Sequence, residues 1–474
     1  MQNLLSSERL RAGLPARALD TGADVQYPGF ERTAVPAGVV HLGLGAFHRA
    51  HQAIVFDRLL AAGDRRWGVC GVAMRSTALA DALATQDGLY SVQIASAAGL
   101  RWQVPGALLH TCVATRERDR VVRAIAADAT RWLTLTVTEK GYGPDLAALI
   151  VDGLAARRVA GRPGLTIASC DNLTDNGRKL QALCLAEAQA RDAVLASWIG
   201  ECCAFPNSMV DRIVPAATEA QREATAAALG VNDEAALSTE AFWEWVLQRR
   251  LADPADADAL ASAGVTLVDE VKPFEDAKLR MLNGSHTALA LLGAVQGWET
   301  VADGIARPPV RRFVHAFMTQ AAMPGLTRPE LPQYRDALIE RFANPHLHHR
   351  VHQIATDSSL KIPLRWLPAL REALDAGRSV DLLAFACAVW MRYLQGRDED
   401  GGAYALSDPH AQALQALAHA HADDTDALVH ALLGFRPMWP PEFATDSRWV
   451  PRVAHWLRRI RAGGSAAALY EIAA

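Results

Sequence analysis

The passage GVVHLGLGAFHRAHQAIVFDRLL, residues 38–60, constrains this chain more than any other. VVHLGLG reads as a short buried strand, and AFHRAHQAIVFDRLLAAG reads as a helix closed by Gly63. Gly43 and Gly45 fall in the turn between them. At such a turn a dinucleotide pyrophosphate needs the backbone close by, and helix amides can bind it. The third glycine of the strict fingerprint is missing; His48 stands in its place. The strand-turn-helix context therefore carries the reading, beside the plainer one of a tight turn using glycine's backbone freedom. Gly43, Gly45 and the first helical residues Ala46 and Phe47 are the candidate cofactor contacts.

Further strands follow in RWGVCGVAM (66–74), YSVQIAS (90–96), RWLTLTVTEKGY (131–142) and GLTIASCDN (164–172), with helical stretches such as 178–200 between them. Alternating strands and helices predict a parallel, helix-covered sheet. A sheet of this kind usually ends its second strand in a carboxylate that accepts from a ribose. Here the strand ends in Arg75, Ser76 and Thr77, and the first acid is Asp81. Arg75 would tolerate a 2′-phosphate, so NAD and NADP both remain open.

From about residue 266 helical periodicity takes over, at 310–323, 334–342, 363–377, 380–396, 409–420 and 447–462. The Ala/Asp-rich stretch 252–264 marks the expected boundary. The fold class is thus an α/β Rossmann-type N-terminal domain, 1–265, with a mainly α-helical C-terminal domain, 266–474.

Composition narrows the function classes. A net charge of −4 without a basic patch argues against a nucleic-acid partner. The longest apolar run, LLAFACAVWM at 382–391, falls far short of the roughly 20 residues that span a bilayer, so no membrane partner is expected. The N-terminus lacks an apolar run long enough for a signal peptide. Seven scattered cysteines without a Cys-x-x-Cys suit a reducing cytoplasm. The histidines of PHLHHRVH (346, 348, 349, 352) have no acidic or cysteine partner nearby, and no metal is expected. Oligomeric state is not readable from the chain.

KLRMLNGSH, residues 278–286, sets a lysine, an asparagine and a histidine inside an apolar run. Asn283 and His286 share one side of a helix, but Lys278 lies about 140° away on an ideal helix and joins them only by its long stem. A lysine in apolar surroundings loses proton affinity and becomes a competent base near neutrality. An asparagine amide can donate to an oxygen gaining charge, and a histidine can orient a hydroxyl. The plainer reading is a snorkelling lysine beside a polar cap. TVTEKGY, SCDNLTDNG and FPNSMVDRIVP add polar clusters at apparent strand ends, where ligands of open α/β sheets bind.

HLGLGAFHRAHQA, TVTEKGY, SCDNLTDNG, FPNSMVDRIVP, KLRMLNGSH, HQIATDSSLKIP and WMRYLQGRDEDG stand in one order over about residues 40–409. Together they resemble the polyol-specific long-chain dehydrogenase family, whose members act on mannitol, mannonate and related sugars. The resemblance implies a metal-independent NAD-dependent oxidoreductase, with NADP possible, acting on a small sugar acid or polyol. It implies Lys278 as general base, Asn172 and Asn283 as alkoxide stabilisers, and His286 as the substrate-positioning group. Lys361 would bind substrate hydroxyls or carboxylate, Glu139 would gate proton exchange, and Asp211 would lie near the lysine. Lys140 and Arg280 stand where mannitol-type members tend to carry smaller residues, and Gln353 replaces an arginine. Extra cations suit a carboxylate, so the sugar-acid branch, D-mannonate and D-fructuronate, is expected ahead of mannitol or another hexitol. A dinucleotide or sugar sensor without catalysis is the reading from another class.

Overall fold

The computed structural model describes residues 4–12, 23–96, 98–347 and 349–474. The chain divides into two compact units, one running to Lys272 and the other from Pro273 to Ala474. The division falls a little beyond residue 265 because the strand Thr266–Val268 pairs in parallel with Glu244–Gln248 and so belongs to the first unit.

The first unit is built on five parallel strands: β1 (Ala37–Leu42), β2 (Gly68–Ala73), β3 (Leu108–Val113), β4 (Trp132–Leu135) and β5 (Thr166–Ser169). Their order across the sheet is 3-2-1-4-5, the order of a dinucleotide-binding sheet whose direction reverses beside the first strand. Successive residues of β1 face opposite sides. Val39 packs into a core with Trp67, Trp132 and Trp245, while Val40 and Leu42 pack into another with Leu133, Ile150 and Ile167. Burial on both faces explains the near-continuous apolar strands, and each such side chain contributes about 1.5–3 kcal/mol relative to exposure.

Three expectations change here. The strand in 90–96 runs Val92–Ser96 and leaves the parallel sheet; it joins a separate four-stranded sheet with Val25–Gln26, Gly99–Gln103 and Leu237–Glu240. Its antiparallel partner Gly99–Gln103 follows at once, so a short reversal, with Gly99 at φ 122°, takes the place of a crossover helix. The edge strand β3, LLHTCV, went unread because His110 and Thr111 interrupt its apolar pattern. The single helix expected after the glycine turn is two, Ala46–Ala50 and Gln52–Ala61, broken at His51.

The second unit is helical. Gly284–Val295 is buried along its whole length, and Asp381–Tyr393 is nearly so. Both read as apolar all round, as central helices do. Segment 363–377 begins earlier than expected. Ser358–Arg365 holds Pro363 inside it, and Leu367–Asp375 resumes beyond Trp366. Its N-terminus is fixed from a distance: Asp408 accepts from Ser358 Oγ (3.0 Å), Ser359 N (2.8 Å) and Ser359 Oγ (2.6 Å). Among the described residues no helix is long and apolar enough to cross a membrane.

Candidate functional site

In the first unit the polar groups gather at the carboxyl ends of β1, β4 and β5. Gly43 has φ 99°, and a Cβ there would stand 2.1 Å from the Thr136 carbonyl oxygen. No other residue fits at Gly43. Its amide and that of Leu44 both donate to Val72 O, at 2.8 and 2.9 Å. Gly45 differs. Its backbone is extended, and a Cβ would meet nothing closer than 3.6 Å. The protein does not demand glycine there, so the missing side chain leaves a bare backbone face, which fits close approach of a pyrophosphate. Ala46 opens the helix Ala46–Ala50 and Phe47 stacks on His51 at 4.9 Å. Arg75 is exposed just past the end of β2.

His48, in place of the third glycine, is buried with its ring stacked on His41 at 3.4 Å between centroids. Where the fingerprint glycine lets helix and strand approach, two flat imidazoles do so here. His41 bonds Thr134 Oγ1 (2.8 Å) and Thr136 Oγ1 (2.9 Å). Burial lowers His41 to about 3 and His48 well below the usual imidazole range. The stack is therefore neutral.

Beyond β4 the chain reaches Thr138 with φ 64° and ψ 163°, then the short helical turn Glu139–Gly141. That backbone region is essentially glycine's alone and costs a β-branched residue of order 1–3 kcal/mol. Glu139 and Lys140 are exposed. Asn172 is exposed on the bend after β5, beside a half-exposed Leu173. Its neighbour Asp171 is buried; the motif contained it, yet no role was read for it. Burial raises its carboxyl above the ordinary range, against the pull of the Thr138 and Val137 amides and the Tyr142 hydroxyl.

Asn207 and Asp211 do not follow the central strands. They flank the strand Ser208–Asp211, which pairs antiparallel with Glu244–Gln248 in a three-stranded sheet. Asn207 precedes its strand and holds the start of helix Asn176–Arg191, accepting from Arg178 N at 3.1 Å. Asp211 ends the strand, 5% exposed.

In the second unit the motif KLRMLN forms one turn of π-helix, Lys278–Asn283, running directly into Gly284–Val295. An i→i+5 turn brings residues five apart into register. Lys278 and Asn283 therefore lie nearer to one face than the 140° expected of a regular helix. Lys278 and His286 are each 9% exposed, and Asn283 is half-buried. Residues downstream hold the turn. Arg365 Nη1 donates to Asn283 O (3.2 Å) and Thr287 Oγ1 (2.6 Å), and Trp366 Nε1 donates to Gly284 O (3.0 Å).

His286 stacks on Phe342 at 4.9 Å and lies 5.0 Å from the His349 ring. Its Nε2 is buried without a hydrogen-bond partner among the described residues. Burial first, then His349, Arg365, Arg341 and Lys361, hold His286 well below the usual imidazole range. His349 is lowered to about 4 by burial and Arg341. Lys361 donates to Ile354 O (3.1 Å) and Thr356 Oγ1 (3.2 Å), and burial followed by Arg365 lowers it. Arg365 itself is lowered to about 10 by burial. Neither Arg365 nor Arg341 was singled out from sequence, and His349 was weighed only as a metal ligand; the four-residue step from Lys361 to Arg365 on one helix was the available signal.

Arg280 has partners that the sequence did not reveal: its guanidinium pairs with Glu372 at 2.9 Å and donates to Pro324 O at 2.7 Å, while its Nε is buried without a hydrogen-bond partner among the described residues. Among the histidines weighed for a metal, His348 lies outside the described residues, and among those described no group of three or more His, Cys, Asp or Glu could hold an ion.

A 3-2-1-4-5 sheet with a glycine turn at its reversal, followed by a helical unit presenting a buried lysine on a π turn, defines a Rossmann-type oxidoreductase. Residues 37–255 match the mannitol dehydrogenase Rossmann domain and residues 270–461 the mannitol dehydrogenase C-terminal domain. The chain belongs to the mannitol dehydrogenase family. It is 38% identical to the D-mannonate oxidoreductase of Escherichia coli K12, over 92% of this chain and 95% of the relative. It is 33% identical to a mannitol 2-dehydrogenase of Aspergillus fumigatus, over 94% of each. Among solved structures it is similar to the Pseudomonas fluorescens mannitol 2-dehydrogenase in ternary complex with NAD and D-mannitol, at TM-score 0.80 and 29% identity, covering 99% of both chains. A D-sorbitol dehydrogenase superposes at TM-score 0.86 with 30% identity, covering 98% of this chain and 100% of that one.

Proposed function

We propose that this enzyme interconverts D-mannonate and D-fructuronate with NAD, without a metal. The observation that carries the sugar-acid reading is the company of His286. The charged groups that act on it, Arg365, Arg341 and Lys361, are all cationic. Such a field costs nothing to a neutral hydroxyl and favours a carboxylate. The 38% identity to a D-mannonate oxidoreductase supports the same choice.

Gly43, Gly45, Ala46 and Phe47 at the glycine turn would hold the nicotinamide cofactor, which would supply the hydride acceptor for the carbinol carbon in oxidation and the donor in reduction. Lys278 takes the hydroxyl proton in oxidation and gives it back in reduction. Asn172 and Asn283 donate to the oxygen as it gains charge. Neutral His286 presents Nε2 to a substrate hydroxyl, and Lys361 receives the acid end. Glu139 passes the proton to solvent, and Asp211 is taken as a further substrate-binding group. Lys140 is exposed and engages the acid only at the rim.

The test is kcat/KM on D-mannonate against D-mannitol, and on D-fructuronate against D-fructose, each with NAD and NADP. A preference for the uronate pair with NAD is expected. Preference for mannitol would give the chain to the hexitol branch, and cofactor binding without turnover on any of these would make it a sensor. Arg75, standing where a ribose-binding acid is usual, makes NADP the other cofactor to measure.

A further inference from the structure

Two adjacent strands of the first unit, β4 and β5, end in a single knot. Asp171 Oδ1 accepts from the Thr138 amide (2.8 Å), and Oδ2 accepts from the Val137 amide (3.1 Å) and the Tyr142 hydroxyl (3.0 Å). The same hydroxyl lies 2.5 Å from Ser169 Oγ. On the other side, Asn176 Nδ2 donates to Asp171 O (3.1 Å) and to Ser208 O (2.8 Å), anchoring the aspartate's own backbone. The residue that this carboxylate grips is the strained one, Thr138 at φ 64° and ψ 163°.

The strain and the grip belong together. An isolated threonine would leave that backbone region. Two amide donors and a phenol aimed at one buried carboxylate hold it there, because charge-assisted bonds are roughly twice as strong as neutral ones. The knot joins the residue before Glu139 to the residue before Asn172. Both Glu139 and Asn172 are exposed.

We propose that Asp171 is a positioning residue: it pins the strained Thr138 turn to the end of β5, so that Glu139 and Asn172 are held as one piece. The inference rests on the roles proposed above for those two residues. It assigns Asp171 no contact with substrate.

The experiment pairs removal of the clamp with removal of the strain. D171A should lower kcat on the preferred sugar by about 10²-fold, the scale of a ~1 Å misplacement near the reacting atoms, with cofactor affinity unchanged. Adding T138G to D171A should recover about tenfold of that loss, because glycine takes this backbone without a clamp. A residue needed for its own chemistry, or only for folding, would show no such recovery. D171N, which keeps the shape, covers the case in which D171A does not fold. An activity-independent readout is amide hydrogen exchange over 136–142, which should quicken in D171A or D171N. Unchanged exchange, full activity in D171A, or no recovery on adding T138G overturns the proposal. If the wild-type enzyme turns over none of the sugars, the proposed function fails, and the exchange measurement alone still decides the clamp.

Discussion

The two units place their polar groups by opposite means. In the first, the groups sit on exposed turns past strand ends, and an anion, Asp171, holds the unusual backbone. In the second, they sit inside a buried helix whose one π turn departs from regular geometry, and a cation, Arg365, holds its end at the Asn283 carbonyl. A strained loop residue is as secure as the bonds that grip it. A π turn has its misfit shared by a whole packed helix and is harder to undo locally. The first arrangement leaves its groups open to solvent; the second holds Lys278 in packed surroundings.

The sharpest way to break this contrast is at the π turn. K278A should lower kcat by about 10³-fold while cofactor binding, read by fluorescence titration, stays intact. Normal turnover would remove the second unit from the chemistry. The next largest effect is acid destabilisation. His349 and His286 have folded pKa values below the unfolded value of about 6.5. As pH falls through 6.5 the unfolded chain takes protons that the folded chain refuses. Stability is therefore complete above that pH and drains away toward pH 4. For His349 alone, with its value near 4, the loss amounts to about 3 kcal/mol. Melting curves from pH 7 to 4 measure it, and H349F should flatten the acid limb.

R280M tests whether Arg280 serves the fold or the substrate. It should lower stability by roughly 1–2 kcal/mol, through the lost Glu372 and Pro324 bonds, and leave the mannonate-to-mannitol KM ratio alone. A changed ratio would return Arg280 to the substrate. K361A should raise KM for the sugar acid about tenfold and for the hexitol less, as expected for one charged hydrogen bond. The smallest effect belongs to the first unit's surface: R75D should shift cofactor preference from NADP toward NAD by only a few-fold, since exposed charges are screened. Initial rates with each nucleotide measure it.

Much of this was legible. The glycine turn, four central strands and the helical second unit could be read because apolar periodicity and glycine placement are local signals. Strand Val92–Ser96 looked like part of the central sheet because alternation reports burial and not the neighbouring strands, which here are Gly99–Gln103 and Leu237–Glu240. The partner of Arg280 was not legible, because Glu372 lies some 90 residues on and nothing local points to it. Asp171 was in view but mute, since nothing local says that its carboxylate reaches back to the amides of Val137 and Thr138.

Taken alone, the order of residues determined the glycine turn, four of the central strands and the helical second unit, and nominated side chains for the site, because these depend on spacings of a few residues. Which of them meet was decided only in three dimensions. The π turn that aligns Lys278 with Asn283 is favoured by no residue of its own. It persists because Arg365 and Trp366, from a helix far along the chain, bond the carbonyls of Asn283 and Gly284 where it joins the next helix.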